Sequence, residues 1–194
     1  MPMEAQQPGA AGTDTGTEMD WNEEDQDDED QDVETLLHTI IRFFLYDLIN
    51  DFAGFLNLGV VLAAPFEMQL NSGQSPHSPD LLFVRRSNLN RLTPERLDGP
   101  ADLVVEIVSD HRAPGDDPRK LWEYQQAGVP EYWIVDPRPG SKGGAFYHLT
   151  PEGFYAPILP DAFGHRASSR VLPGFWLPGG WLWESMFPTW VISS

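Results

Sequence analysis

The chain has 194 residues, of which 41% are hydrophobic and 12% aromatic, so it can bury the core of one domain and is not wholly disordered. Cysteine is absent, which excludes disulfides, thiolate nucleophiles and cysteine-based metal sites. No run of about 18 apolar residues and no secretory signal is visible, so we expect no membrane span and a cytoplasmic location.

The formal net charge of −18 is distributed unevenly along the chain. Residues 1–34 hold 13 acids and no lysine or arginine, whereas the rest holds 17 acids and all 12 basic residues, a net charge of −5. An acidic block of this kind cannot bury enough apolar surface to fold. We therefore expect residues 1–32 to be a disordered acidic tail and residues 33–194 to be the folded domain. The tail either keeps the protein soluble or mimics nucleic acid and covers a basic groove of the domain.

The first predicted element is an amphipathic helix over residues 33–52, whose apolar side chains recur at i, i+3, i+4 and i+7 after Asp32 as the cap. A second helix is predicted for residues 116–127, because Pro118 suits a first turn and Gly128 suits an end. The predicted strands cover residues 58–64, 66–70, 80–84, 102–108, 131–135, 145–149 and 154–158. The last segment, rich in Trp, Pro and Gly, is expected to fold back over the core.

This order of elements predicts a mixed α/β or α+β domain with one central sheet. The chain has no glycine-rich phosphate loop and no Gly-x-Ser-x-Gly elbow. The signatures of nucleotide binding and of serine hydrolases are therefore missing.

Two of the predicted strands carry carboxylates in apolar surroundings. Asp80 begins one strand, and Glu106 lies in the middle of another, among aliphatic neighbours. Strand alternation places Asp102 on the same face as Glu106. A buried carboxylate needs a partner, because an isolated buried charge is costly. Two carboxylates from adjacent strands, together with a backbone carbonyl, form a site of hard oxygen ligands that suits Mg²⁺. The alternative is that Asp80 simply begins a strand after a turn and that Glu106 forms a structural ion pair with an arginine.

Lysine is scarce in this chain, and Lys120 falls on the second predicted helix, with Tyr124 one turn later. A compact ammonium can hold an attacking water and offset charge on a phosphoryl group, which a planar guanidinium does not replicate. The alternative is a solvated helix lysine that pairs with Asp116 or Glu123.

The remaining basic and histidine residues give weaker signals. The best candidate patch for phosphate contacts consists of Arg85, Arg86, Arg91 and Arg96. The alternative is that these arginines only keep the protein soluble. The five histidines show no paired zinc spacing, so we expect no zinc site. His38 lies close to the apolar stripe of its helix, where a packed, hydrogen-bonded histidine is the usual case.

Four segments follow one another in an order that resembles a known family. They are Ser78-Pro79-Asp80, the run from Ala101 to Ser109, Lys120-x-x-x-Tyr124, and Gly128-Val-Pro-Glu-Tyr-Trp-Ile-Val-Asp-Pro137. Together they resemble the Uma-type family of predicted restriction endonucleases, within the PD-(D/E)XK nuclease superfamily. The run Leu172-Pro-Gly-Phe175 resembles the family's C-terminal segment. The likeness covers residues 33 to about 180.

The resemblance implies a restriction-endonuclease-like core, which is a central mixed β-sheet flanked by helices. It implies that Asp80, Glu106 and the carbonyl of Ile107 hold Mg²⁺, with Mn²⁺ as an alternative. The superfamily's lysine stands two residues after the glutamate, where this chain has Val108. Lys120 would then supply the ammonium from the following helix.

A second departure from the family pattern lies at the N-terminus. Members carry a short folded segment before the first helix, often with a glutamate, and the acidic tail occupies that place here. Glu34 or His38 on the first helix is the candidate substitute for a ligand from that segment.

We therefore expect a Mg²⁺-dependent endonuclease that hydrolyses phosphodiester bonds of nucleic acid, with DNA as the expected substrate. Asp80, Glu106, Lys120 and Tyr124 are the expected catalytic residues. Two other functions stay open: a catalytically silent module that binds nucleic acid or protein on the same scaffold, and an interaction protein whose acidic arm meets basic partners. Val108 and the negative charge of the domain favour the silent module. The sequence is also compatible with a homodimer.

Overall fold

The first helix packs one apolar stripe onto the central sheet of the domain. The computed structural model describes residues 36–71, 73, 75–108, 118–136, 144–159 and 166–178. Helix α1 (Leu36–Phe55) ends three residues beyond the predicted end. Its buried residues recur every three or four positions: His38, Ile41, Leu45, Ile49 and Ala53. This spacing is the amphipathic pattern that the sequence showed.

Among the described residues, ten strands and a second helix, α2 (Pro118–Ala127), follow α1. The strands are β1 (Gly59–Ala63), β2 (Glu67–Gln69), β3 (Leu81–Arg85), β4 (Arg96–Asp98), β5 (Leu103–Ile107), β6 (Glu131–Val135), β7 (Gly144–Leu149), β8 (Tyr155–Pro157), β9 (Arg166–Ser168) and β10 (Trp176–Pro178). Six of them form one sheet in the order β1-β3-β5-β6-β7-β8, while β2 pairs with β4 and β9 pairs with β10.

The six-stranded sheet is mixed. Strands β5 and β6 run parallel, with α2 in the connection between them, and the other neighbouring pairs are antiparallel. A parallel pair needs such a crossover, since a tight turn reverses the chain direction. The predicted class, an α/β or α+β domain with a central mixed sheet flanked by helices, is confirmed.

The two helices belong to two hydrophobic clusters on opposite faces of the sheet. The α1 cluster contains Phe83 of β3 and Val105 of β5. The other cluster contains Tyr124 of α2 and Val104 of β5. Because successive strand residues point to opposite faces, Glu106 lies on the α2 face together with Val104.

The connection between β3 and β5, for which the sequence predicted no helix or strand, contains regular structure. It contains a 3₁₀ helix (Arg86–Arg91) and β4, which pairs in parallel with β2. Elements this short leave almost no hydrophobic period in the sequence, and tertiary pairing decides whether they form.

The chain folds back over the core as predicted, within the described residues 166–178. Leu172, Phe175 and Leu177 are buried in the α1 cluster. The Phe175 ring lies edge-on to Phe52 of α1, with 5.1 Å between ring centroids. The predicted disordered tail and the residues after 178 lie outside the described part of the chain. No described helix is both long and apolar enough to cross a bilayer.

A buried carboxylate fastens this returning segment to the sheet. Glu131, at the start of β6, is fully buried. Its carboxylate accepts hydrogen bonds from Trp133 Nε1 at 2.7 Å, Ser169 Oγ at 3.1 Å and the backbone N–H groups of Arg170 and Val171 at 2.7 and 2.9 Å. Burial raises the pKa of Glu131, and these four donors oppose that rise because they stabilise the anion.

Candidate active site

Asp80 lies immediately before β3, at the end of the sheet where β5 finishes. Its Oδ2 accepts the backbone N–H of Ile107 at 2.7 Å. Leu81 is paired with Val105, so extending this register places Asp80 beside Glu106. A residue in an extended strand points its N–H and C=O groups toward the same neighbour. The Ile107 carbonyl therefore faces the Asp80 side of β5.

Two side chains of α2 contact the carboxylate of Glu106. Lys120 Nζ lies 3.0 Å from Oε2, and the Tyr124 hydroxyl donates to Oε1 at 2.7 Å. The two side chains share one helix face because they are four residues apart. The Glu106 side chain is 14% exposed and that of Lys120 is 33% exposed, so the pair lies at the boundary between core and solvent.

The surroundings of Glu106 disfavour its charged form. Burial raises the pKa of Glu106 above its ordinary value, since leaving water penalises the anion. The ammonium of Lys120 opposes this rise, whereas the negative charge of Asp80 adds to it. The two carboxylates are thus close enough to repel each other, and a cation between them would favour both anions.

Tyr124 is a fixed hydrogen-bond donor. It is fully buried, and burial together with the negative charge of Glu106 raises the pKa of its hydroxyl far above the ordinary value. The hydroxyl therefore keeps its proton. The ring packs edge-on against Tyr132, with 5.1 Å between ring centroids, which holds the hydroxyl toward Glu106.

Of the two alternative partners of Lys120, Asp116 lies outside the described residues and Glu123 is engaged with other residues. Glu123 Oε1 accepts from Arg119 Nε at 2.7 Å, and Glu123 Oε2 lies 3.5 Å from His77 Nε2. Lys120 contacts Glu106, so the ion pair of Glu106 is made by a lysine and not by the arginine of the structural alternative.

The structure brings the predicted site residues to one edge of the sheet: Asp80, Glu106, Ile107, Lys120 and Tyr124. Their catalytic and metal-binding roles stay predictions, as does the homodimer. Val108, at the superfamily's usual lysine position, is partly buried and follows β5 directly.

A sixth residue contacts this site from α1. His38 Nε2 lies 3.2 Å from Asp80 Oδ1. The sequence suggested it as a substitute for a family ligand, but its position near the apolar stripe favoured a packing role. The signal for its position is the spacing, because His38 stands three residues before Ile41 and so continues the buried face of α1. Glu34, the other candidate, lies outside the described residues.

Asp102 occupies the opposite end of β5 and belongs to a separate network. Its carboxylate accepts from the backbone N–H of Arg85 at 2.8 Å and from Asn88 Nδ2 at 2.9 Å. Arg91 Nη2 lies 3.8 Å away, and the guanidinium of Arg91 also donates to the carbonyl of Pro100 at 2.7 Å. Asp102 therefore fastens the 3₁₀ helix to the sheet.

The arginine patch does not flank the carboxylates. Arg85 ends β3, five residues after Asp80, which is about 16 Å of extended chain. Arg86 contacts Asn57, and Arg96 Nε donates to Asp98 at 2.8 Å. Arg85 and Arg91 thus lie at the far end of β3 and β5, and all four arginines take part in contacts within the domain.

The architecture of this domain has been seen in a solved structure. It is similar to a crystal structure from Anabaena variabilis, described as "a putative nuclease belonging to DUF820", with a TM-score of 0.59 and 15% sequence identity. The similarity covers 81% of this chain and 83% of that chain. At this level of identity the likeness concerns the fold.

The family follows from the sequence match. The model of the Uma2 family, "Putative restriction endonuclease", matches residues 31–179, so the chain belongs to this family, as the motifs predicted. No curated protein matches the chain. Family membership and fold together support a nuclease function.

Proposed function

We propose that this protein is a metal-dependent endonuclease that hydrolyses phosphodiester bonds of DNA. The observation that carries the proposal is the convergence of Asp80, Glu106, Lys120 and Tyr124 at one end of β3 and β5. An acid, a second acid and an ammonium at one sheet edge form the set of charges that phosphoryl transfer requires.

The oxygen donors at this edge fit a small divalent cation. Asp80, Glu106 and the Ile107 carbonyl would hold Mg²⁺ or Mn²⁺, which prefer hard oxygen ligands. The described residues contain no group of three or more His, Cys, Asp or Glu arranged around a metal, so the remaining positions would fall to water and phosphate oxygens. Once bound, the ion would supply Lewis-acid polarisation of a phosphoryl oxygen and lower the pKa of a water.

Lys120 and Tyr124 would prepare the site for this chemistry. Lys120 balances the charge of Glu106, and Tyr124 fixes the orientation of the same carboxylate. With a cation present, the ammonium would be available to the attacking water or to the phosphoryl oxygens, which carry more charge in the transition state. Lys120 is suited to this change of partner because its flexible stem is partly exposed.

The pKa of Glu106 sets a pH requirement. Only the ionised carboxylate can bind a cation, and burial raises the pKa above its ordinary value. On acidification, cleavage should therefore be lost at a higher pH than it would be if Glu106 had the ordinary pKa of a glutamate.

One observation favours the catalytically silent module as the second candidate. Both oxygens of Glu106 are already hydrogen-bonded, to Lys120 and to Tyr124, as in a self-sufficient structural network. Such a protein would bind DNA without cutting it.

The test is cleavage of supercoiled plasmid and of single-stranded DNA by the full chain, with Mg²⁺ or Mn²⁺ and with a chelator. We expect metal-dependent nicking that Asp80→Asn and Glu106→Gln abolish. Glu67→Gln, at an exposed glutamate on β2, is the matched control and should cleave normally. Equal cleavage by all four proteins would indicate a contaminating nuclease. DNA binding without cleavage would establish the silent module.

A further inference from the structure

His38 meets the active-site edge of the sheet from the first turn of α1. Its side chain is 11% exposed, and its Nε2 lies 3.2 Å from Asp80 Oδ1. The other oxygen, Oδ2, accepts the Ile107 N–H at 2.7 Å. Two separate elements, α1 and β5, thus contact the two oxygens of one carboxylate. Together they restrict rotation of that carboxylate about its Cβ–Cγ bond.

The core of the domain fixes the position of the histidine. Ile41 and Leu45, one and two turns after His38, are fully buried in the α1 cluster. Interiors are close-packed, so α1 cannot shift along the sheet without opening a void. The distance between His38 and Asp80 is therefore set by the same packing that holds α1 on the sheet.

We propose that His38 is a positioning residue that holds Asp80 in the orientation required to bind the divalent cation. This inference rests on the proposed function. The ring nitrogen that contacts Asp80 Oδ1 cannot at the same time bind a metal, because it offers either one proton or one lone pair. A carboxylate oxygen that accepts one hydrogen bond keeps a second lone pair for a cation. Loss of a residue that orients a metal ligand typically weakens metal affinity by about 10- to 100-fold.

The test is calorimetric titration of Mn²⁺ into the full chain and its His38 variants. His38→Leu removes the contact and should weaken Mn²⁺ binding about 10- to 100-fold. His38→Gln keeps an N–H donor of comparable reach and should restore most of the affinity, whereas the shorter His38→Asn should not. The comparison of Gln with Asn decides the matter even if His38→Leu does not fold.

Two controls separate positioning from other roles. His148→Gln makes the same chemical change on β7, at the opposite end of the sheet, and should leave Mn²⁺ affinity unchanged. A parallel titration with Ni²⁺ tests direct ligation, because an imidazole ligand favours Ni²⁺ over harder ions. A positioning residue predicts the same fold-loss for both ions in His38→Leu.

The outcomes are distinct. A larger loss for Ni²⁺ than for Mn²⁺ would make His38 a ligand and overturn the proposal. Unchanged Mn²⁺ affinity in His38→Leu would also overturn it while leaving the proposed function intact. Failure of the unaltered chain to bind Mn²⁺ or Mg²⁺ would instead refute the proposed function itself.

Discussion

Lys120→Met removes the ammonium beside Glu106 and keeps most of the apolar stem. In the unaltered protein Nζ lies 3.0 Å from Oε2 of a carboxylate that is 14% exposed. After the change, Tyr124 still donates to Glu106, but Lys120 no longer offsets the penalty of burying the anion. The free energy of unfolding should therefore fall whenever Glu106 is ionised.

The expected size of this loss follows from the contact. A hydrogen bond to a charged group contributes about 1.5–3 kcal/mol to stability. Because one third of the Lys120 side chain is exposed to screening by water, we expect a loss of about 1–2 kcal/mol at about pH 8. This exceeds the loss of under about 0.5 kcal/mol that a fully solvated helix lysine would give.

The pKa of Glu106 fixes the direction of the pH dependence. Burial raises this pKa in the folded protein above its value in the unfolded chain. As the pH rises through the raised pKa, Glu106 ionises and the stability of the folded state falls. Lys120→Met raises the pKa further. At about pH 5 more of the carboxyl is neutral and needs no ammonium, so the destabilisation should be smaller there than at about pH 8.

The assay is urea unfolding at both pH values, followed by tryptophan fluorescence. Arg119→Met is the matched control on the same helix, because Arg119 is 82% exposed and pairs with Glu123 at i+4. Arg119→Met should lower the free energy of unfolding by less than about 0.5 kcal/mol at either pH. Equal losses for the two variants, or a Lys120→Met loss that grows toward acid, would refute the reasoning.

Three further predictions concern the core and the site. Glu131→Gln should lower the free energy of unfolding by about 1–3 kcal/mol in urea, because an amide cannot accept from all four donors around it. Gly59→Ala should lower the free energy of unfolding by about 3 kcal/mol, because the added Cβ would collide with the carbonyl oxygen of Val84. Gly54→Ala, where the added Cβ meets open space, should raise the free energy of unfolding by about 0.5–1 kcal/mol because alanine favours the helix. Tyr124→Phe removes a donor to Glu106 and should move the acid limb of a cleavage rate–pH profile to higher pH.

Much of the fold could be predicted from hydrophobic periodicity. The i+4 spacing of the α1 stripe and the aliphatic runs of β5 and β6 are strong signals, and the structure places these elements within a few residues of the predicted bounds. The 3₁₀ helix (Arg86–Arg91) and β4 could not be predicted in this way. They depend on the Asp102 network and on pairing with β2, which are long-range interactions.

The candidate residues could also be chosen from the sequence, but their contacts could not. Helical spacing allowed Lys120 to reach Glu123, and only the packing of α2 on the sheet decides that it contacts Glu106. The contact between His38 and Asp80 joins residues 42 positions apart on different elements. No local pattern carries such information, since spacing along one helix or strand reports only which residues share a face.

The central claim is that Asp80 and Glu106 together hold a divalent cation. Calorimetric titration of Mg²⁺ and Mn²⁺ into the full chain, into Asp80→Asn, into Glu106→Gln and into the Glu67→Gln control tests it most directly. We predict binding to the unaltered chain and to the control, and its loss in both site variants, because each removes one of the two anionic ligands. Unchanged binding in Asp80→Asn and Glu106→Gln would contradict the account.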